Sequence, residues 1–343
     1  MSKTKQKTLI LIAVMCLMIA MGICLGSSQI PFIESLNILG YKLFGIPLAE
    51  SVDRMNIAIV WQLRLPRVLL AFLVGGALAV SGSAVQSVLK NELASPYTLG
   101  VSSGASLGVG LMIVLNLNLP YLGKLSLPFI GFLGGLVSIY CVVAFSSKVD
   151  KQFSNNTVIL VGMVFSLFIN GILTTLTGMF TEEIKAITLW QMGSFAMKGW
   201  AYVGCMIPFC ILGLLGMLRY TREMDILTFG EEQAKVIGVD VIKVKHRLFL
   251  FASILTGAAV GLSGVIGFVD LIAPHIVRRY FGSRHKKVMP LAFIVGGTLM
   301  VCTDLVARSI VPKMELPVGA ITSLIGAPFF AYVYFKKRGK AGC

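Results

Sequence analysis

Residues 219–247 read RYTREMDILTFGEEQAKVIGVDVIKVKHR, a charged stretch set between apolar runs of membrane-crossing length. Its middle, 227–238, predicts one short amphipathic helix. Leu227, Ala234, Val236, Ile237 and Val239 supply apolar surface, while Glu231, Glu232, Gln233 and Lys235 are polar. Gly230 and Gly238 bracket it as helix ends, because glycine adopts the left-handed backbone that closes a helix at little cost. Such a segment is either a solvated loop helix or a handle for a partner, and the pattern alone does not separate the two.

Outward from this stretch the chain is apolar almost throughout. Of its 343 residues 56% are hydrophobic and only 13% charged, which excludes an ordinary soluble domain and predicts an all-α, polytopic membrane protein. A helix needs about 20 apolar residues to cross the hydrocarbon. Nine stretches meet or approach that length, at 8–28, 57–89, 98–115, 127–145, 157–178, 200–218, 248–272, 288–307 and 316–335. An odd number conflicts with the charges, since Lys3, Lys5 and Lys7 at one end and Lys336, Lys337, Arg338 and Lys340 at the other place both termini in the cytosol. Dividing the seventh region and assigning 273–280 to a short tenth helix restores an even number. The expectation is therefore a single transmembrane domain over 1–343, with about ten helices, cytosolic termini and a cytosolic loop at 219–247. With most of the 30 Lys and Arg then inside, the net charge of +15 reads as a topology signal, with attraction to anionic membrane lipid second and no nucleic-acid partner.

Several polar positions stand out against this background. Arg64 and Arg67 flank Pro66 in WQLRLPR (61–67), at the expected outer end of a helix. They read either as arginines snorkelling to lipid phosphates or as receptors for carboxylates of a protein docking from outside, which a guanidinium pairs with bidentately. Glycines and serines crowd 75–110, a pattern of tight helix packing. Asn155 and Asn156 start the fifth long apolar run; they read as helix caps or, if that helix lines a pathway, as a gate, with Asn170 and the threonines at 174, 175 and 177 continuing a polar line. Asp270 is the least comfortable residue, since a carboxylate near mid-membrane costs about 2.5–3.5 kcal/mol and needs a partner, water or a proton. An ion-coupled secondary carrier using Asp270 is one reading of it. Asp304 and Arg308, four apart, predict a same-face ion pair. Pro274 is expected to end or kink its helix.

Catalytic signatures are not found. There is no G-x-x-x-x-G-K followed by Ser or Thr, so the chain is not expected to hydrolyse ATP. His246, His275 and His285 lack metal-ligand spacing, and the seven cysteines include no C-x-x-C. No cofactor, metal or enzymatic centre is expected within the chain.

Taken together, RLPR at 64–67, SGSAVQ at 81–86, NELASPYTLGVSSGA at 91–105, LTFGEEQAKVIGV at 227–239, GFVDLIAPHIVRR at 267–279, the Asp304 and Arg308 pair, ELPVG at 315–319 and IGAPFF at 325–330 resemble the iron-siderophore and vitamin B12 permease family of type II ABC importers. The resemblance runs from about 61 to 335. It implies ten helices per subunit, a second permease subunit, identical or paralogous, around a central pathway, separate cytosolic ATPase subunits that bind ATP and Mg, and an external substrate-binding lipoprotein, in a bacterial cell membrane. Carried onto this chain, Gly230, Glu231, Ala234 and Gly238 fall in the ATPase-coupling loop. Arg64, Arg67 and Arg308 match arginines that receive the binding protein, and Asn155 and Asn156 match a cytosolic gate, with different side chains from the Ser and Thr of the vitamin B12 permease. Glu92 in place of a usual Pro and Asp270 in place of a usual small residue are departures. An iron(III)-siderophore is the cargo the resemblance favours, with haem and vitamin B12 as alternatives.

Overall fold

The computed structural model describes residues 3–26, 30–48, 52–117, 119–311 and 314–341. Lys313 lies outside them, as do the side chains of Lys3 and of the C-terminal Lys336, Lys337, Arg338 and Lys340. Fifteen α-helices follow in order among the described residues: α1 (Lys3–Cys24), α2 (Phe32–Phe44), α3 (Arg54–Ala58), α4 (Leu65–Leu89), α5 (Val101–Val114), α6 (Ser126–Val149), α7 (Asn155–Met179), α8 (Ile184–Gln191), α9 (Trp200–Leu218), α10 (Thr221–Leu227), α11 (Glu231–Val236), α12 (Val241–Ser263), α13 (Val269–Phe281), α14 (His285–Ser309) and α15 (Val318–Ala341). No strand occurs among them. In hydrocarbon every backbone polar group must be satisfied within its own segment, and helices do this. Seven helical runs are long and apolar enough to cross a membrane: α1, the continuous α3–α4 run, α6, α7, α9, α12 and α14, with α5 and part of α15 as shorter apolar helices.

α4 is the axis of the bundle. Its run is 83% buried, against 72% for α12 and α14 and 17% for α1 and α7. A helix apolar on all sides is one that other helices surround, and α4 packs against α9, α12, α13 and α14. Its closest neighbour is α14, where Gly75 faces Gly296: a Cβ on either would overlap the carbonyl oxygen of the other. The glycines thus let two backbones touch, which in lipid is a main source of association.

The seventh apolar region, 248–272, is divided as expected, with different bounds. α12 begins earlier, at Val241, because Asp240 caps it by accepting from the Lys243 N–H. It stops at Ser263, where Gly264 (φ 81°) and Phe268 (φ 69°) leave helical geometry. Pro274 does not break α13, contrary to expectation. It sits four residues after Asp270, whose carbonyl loses its helical donor and instead accepts from Gln86 Nε2 of α4 at 3.3 Å. The predicted helix over 227–238 is likewise two helices. Gly230, at φ 138° and ψ 151°, breaks the chain between them, and Leu227 belongs to the buried face of α10.

Candidate functional site

The loop end of the bundle carries α10 and α11. The turn closing α11 is a Schellman motif: Gly238 (φ 89°) donates to the Lys235 carbonyl at 3.0 Å, and Val239 donates to Ala234 at 2.9 Å. Ala234 is fully buried and seats the helix. Val236 and Ile237, read from the sequence as apolar surface, are not part of that buried face. They are 87% and 66% exposed, beside Phe229 at 79%. α11 therefore presents an apolar patch flanked by Glu232 and Lys235, surface that a solitary loop helix would not keep uncovered without reason. α10 is anchored to α14, since Asp225 accepts from both the backbone N–H (2.9 Å) and the ring (2.6 Å) of His285.

Glu231, first residue of α11, is tied inward. Lys245, on the first turns of α12 and fully buried, donates to Glu231 Oε1 at 2.7 Å, to Asn155 Oδ1 at 2.8 Å and to the Phe153 carbonyl at 3.0 Å. The ammonium has three donors and all three are used. Sequence reasoning missed Lys245 because it counts there only as one more basic residue of the loop; the signal that could have found it is its place, 245, on the buried 241–244–248 side of α12. Asn155 and Asn156 do not cap α7. Ser154 is its N-cap residue without a side-chain cap bond, and Asp150 instead fixes the turn that enters the helix, accepting from the N–H groups of Gln152 (2.9 Å) and Ser154 (3.0 Å), both ahead of α7. The Ser154 hydroxyl and those two N–H groups hold the Asp150 carboxyl down to about 2.

Along α7 the residues Asn156, Leu160, Met163, Leu167, Asn170 and Thr174 are all exposed. Alternating steps of four and three put them on one stripe, a continuous helix face left open among the described residues. Thr174, Thr175 and Thr177 turn their hydroxyls back to carbonyls of their own helix, at 2.8–2.9 Å. Asn155 faces inward to Lys245, so the two adjacent asparagines part: one belongs to the loop end's interior, the other to the open stripe.

At the far end of α14 lie the three arginines. Arg64 is 5% exposed and donates to the carbonyls of Ile23 (3.2 Å) and Cys24 (2.7 Å), while Arg308, 8% exposed, donates to Gly22. Two guanidinium groups thus satisfy the last carbonyls of α1, which have no helical donors. Arg67 grips Asp304 with Nε and Nη2 at 2.9–3.1 Å and reaches Glu315 at 2.8 Å. The Asp304–Arg308 pair is present but long, at 3.5 Å, and Arg67 is the main partner of Asp304. These arginines hold α1, α4 and α14 together. Within this cluster Glu315 keeps the most surface, at 46%, against 11% for the Arg67 side chain.

Asp270 is buried where α13 meets α4. Its carboxylate accepts from the Ser95 hydroxyl, and Gly82 of α4 packs on its backbone. Ser95 also caps the 3₁₀ turn Pro96–Leu99, and Tyr97 donates to the Ile266 carbonyl at 2.9 Å. Asp270 therefore ties α13 to this turn. No group of three or more metal-ligating side chains occurs among the described residues.

A family model described as the FecCD transport family matches residues 10–336. The chain belongs to this family. The uncharacterized ABC transporter permease protein YvrB of Bacillus subtilis (strain 168) is 39% identical over 320 residues, spanning 93% of this chain and 90% of its own length. The hemin transport system permease protein HmuU of Yersinia pestis is 38% identical over 287 residues, 81% of this chain and 84% of its own. A solved structure described as an inward-facing conformation of a metal-chelate type ABC transporter superposes with a TM-score of 0.81 at 26% identity, covering 97% of this chain and 99% of that one. With its seven long apolar helices, this member of the family is a multi-pass membrane protein.

Proposed function

We propose that the chain is the membrane-spanning permease subunit of an ABC importer for an iron(III)-siderophore complex, with ten crossings and both termini in the cytosol of a bacterial cell. A separate ATPase subunit, holding ATP and Mg itself, docks on α11. The observation that carries this is the α11 surface: a helix fixed by buried Ala234 and the Schellman turn at Gly238, yet exposing Phe229, Val236 and Ile237. The open stripe of α7, with Asn156 and Asn170, faces a second permease subunit, identical or paralogous, across the pathway, and α15, with Leu324 and Ile325 exposed, borders it. An external substrate-binding lipoprotein docks at the arginine end. Glu315 offers the accessible charge of that cluster, Arg67 pairs with it from behind, and Arg64 and Arg308 position them.

In this mechanism the loaded binding protein delivers cargo at the outer end. ATP binding and hydrolysis in the partner displace α11, and the pathway along the α7 stripes changes its accessible side. The displacement is useful only if the partner's contacts differ between the two states. Haemin is the second cargo reading, favoured by the 38% identity to a permease named for hemin. The test is co-purification of the ATPase and uptake of radiolabelled ferric siderophore, haemin and cobalamin by cells carrying the wild type or Val236→Glu with Ile237→Glu. The importer reading expects both co-purification and uptake to be lost at unchanged permease abundance. Uptake that persists without the ATPase and collapses with the ion gradient would instead favour a secondary carrier.

A further inference from the structure

We infer that Lys245 is the positioning residue that transmits movement of α11 to the mouth of the pathway at α7, an inference that rests on the proposed docking of an ATPase on α11. The structure places one buried ammonium between three elements that must act together. Glu231 belongs to α11, Lys245 to α12, and Phe153 with Asn155 to the entry of α7. All three hydrogen bonds of the ammonium are short, 2.7–3.0 Å, and only the one to Glu231 is to a carboxylate.

The α7 side of this junction is itself unusual. Phe153 is a buried non-glycine residue at φ 53°, in the left-handed region that L side chains other than Asn and Asp seldom occupy. Such a conformation persists only where surrounding contacts over-determine it, and it marks segments with a second arrangement within reach. Its own N–H donates to the Asp150 carbonyl at 3.0 Å, and four contacts with α12 hold it. Its ring stacks on His246 at 4.6 Å and 22°, meets Phe249 edge-on at 6.2 Å and lies under the Lys245 ammonium at 5.8 Å, and its carbonyl accepts from Lys245. Three of these four come from residues 245 and 246, so the turn before α7 is tied to the same part of α12 that holds Glu231.

The consequence is a dependence of one end on the other. Val239 and Asp240 are the only residues between the turn of α11 and the start of α12, too few to absorb a displacement. If a partner draws Glu231 away, the ammonium is left in a buried site with two neutral acceptors and no counter-charge, which is unfavourable. It then either follows Glu231, withdrawing from the Phe153 carbonyl and Asn155, or drags the α7 entry with it. In both cases Asn155 moves when α11 moves. A neutral side chain of similar length, such as Met, breaks this dependence, while buried Ala234 and the turn at Gly238 still seat α11.

The experiment uses the full permease with its ATPase, reconstituted in lipid, with spin labels carried as unnatural amino acids at the exposed positions Lys235, beside the apolar patch of α11, and Asn156. Distances to a fixed label on α9 are read without nucleotide and with ATP, Mg and vanadate. In the otherwise wild-type chain the ATPase co-purifies and both labels are expected to shift on trapping. In Lys245→Met the ATPase still co-purifies, basal ATP hydrolysis stays within about twofold, the Lys235 label still shifts and the Asn156 label no longer does. Lys245→Arg keeps the charge and restores at least half of the Asn156 shift. The inference is overturned if the Asn156 shift survives Lys245→Met, or if the Lys235 label shifts in the otherwise wild-type chain while the Asn156 label stays still. That second outcome needs no variant, so a failure of Lys245→Met to fold does not remove the test. A wild-type complex in which no ATPase co-purifies at all would refute the docking reading instead, and is seen before any variant is made.

Discussion

Replacing Arg67 with Met should destabilise the folded chain by about 3 kcal/mol, and the structure shows where that figure comes from. Arg67 makes three hydrogen bonds at 2.9–3.1 Å to Asp304, whose side chain is 1% exposed. Removing one partner of a buried ion pair costs about 3–5 kcal/mol, because the other charge stays behind without water or counter-ion. Here the lower end applies, since Arg308 remains 3.5 Å from the carboxylate and can close on it. The bond to Glu315 adds little, as that carboxylate is 46% exposed and an exposed pair contributes about 0–1 kcal/mol. Asp304→Asn alone removes the carboxylate from two buried guanidinium groups and should cost a similar amount. The double variant should lose less than the sum of the two, with a coupling of about 2 kcal/mol, within the range found for residues in one charge network. Equilibrium unfolding of the purified chain and the three variants in mixed micelles gives all four values. Single variants that add within about 0.5 kcal/mol, or an Arg67→Met loss below about 1 kcal/mol, would refute the account of these arginines as internal ties. Binding-protein docking would then be the stronger explanation of Arg67.

Other outcomes follow from different parts of the fold. Gly75→Val should separate α4 from α14 and leave little folded protein in the membrane, while Gly171→Val, at a position with open space around it, should leave abundance unchanged; fluorescence-detected size-exclusion profiles distinguish the two. The hold of Asp150 on the turn before α7 should be independent of pH over the neutral range. Its carboxyl is held near 2, below the ordinary value of about 3.9, so the contribution is complete above the ordinary value and is lost as pH falls through 2. Asp150→Ala should accordingly speed amide exchange at Gln152 and Ser154 by tenfold or more at pH 7, with no such acceleration in α14. Asp270→Asn keeps an acceptor for Ser95 and should leave uptake and its response to ion gradients unchanged; uptake that becomes insensitive to the proton gradient in this variant would return Asp270 to a transport role.

How much of this was legible in the chain depends on whether a residue's meaning is local. That the 248–272 region divides was readable from the odd number of apolar stretches set against two basic termini, but its place was not, since the break falls at Gly264–Phe268 and α13 starts at Val269 instead of 273. The family was readable because RLPR, SGSAVQ, LTFGEEQAKVIGV and ELPVG keep their order. The glycine density at 75–110 correctly signalled close packing, although the partner of Gly75 at Gly296 lies far along the chain. Local rules failed where a distant group intervened. Two asparagines at a helix start read as caps, but neither caps α7: Asp150 fixes the turn ahead of it, and the Asn155 side chain accepts from Lys245, ninety positions on. Pro274 read as a helix end, but Gln86, nearly two hundred positions earlier, takes over the carbonyl that the proline leaves without a donor.

The two charged ends illustrate the same point with opposite outcomes. Arg64, Arg67 and Arg308 looked like surface receptors because arginines at a helix end usually reach outward. They turn inward because α1 delivers three bare carbonyls at Gly22, Ile23 and Cys24 and α14 delivers a buried carboxylate at Asp304. Val236 and Ile237 read only as apolar surface of a short helix, and they turn outward, with Ala234 seating the helix on the bundle. A buried arginine cluster that ties helices is stiff, whereas an apolar patch on a six-residue helix, held by one alanine and one ion pair from Glu231 to Lys245, has little to resist a partner's pull. The end that keeps apolar surface is thus also the end built to be displaced, and Lys245 is the only cation there that is fully buried among the described residues.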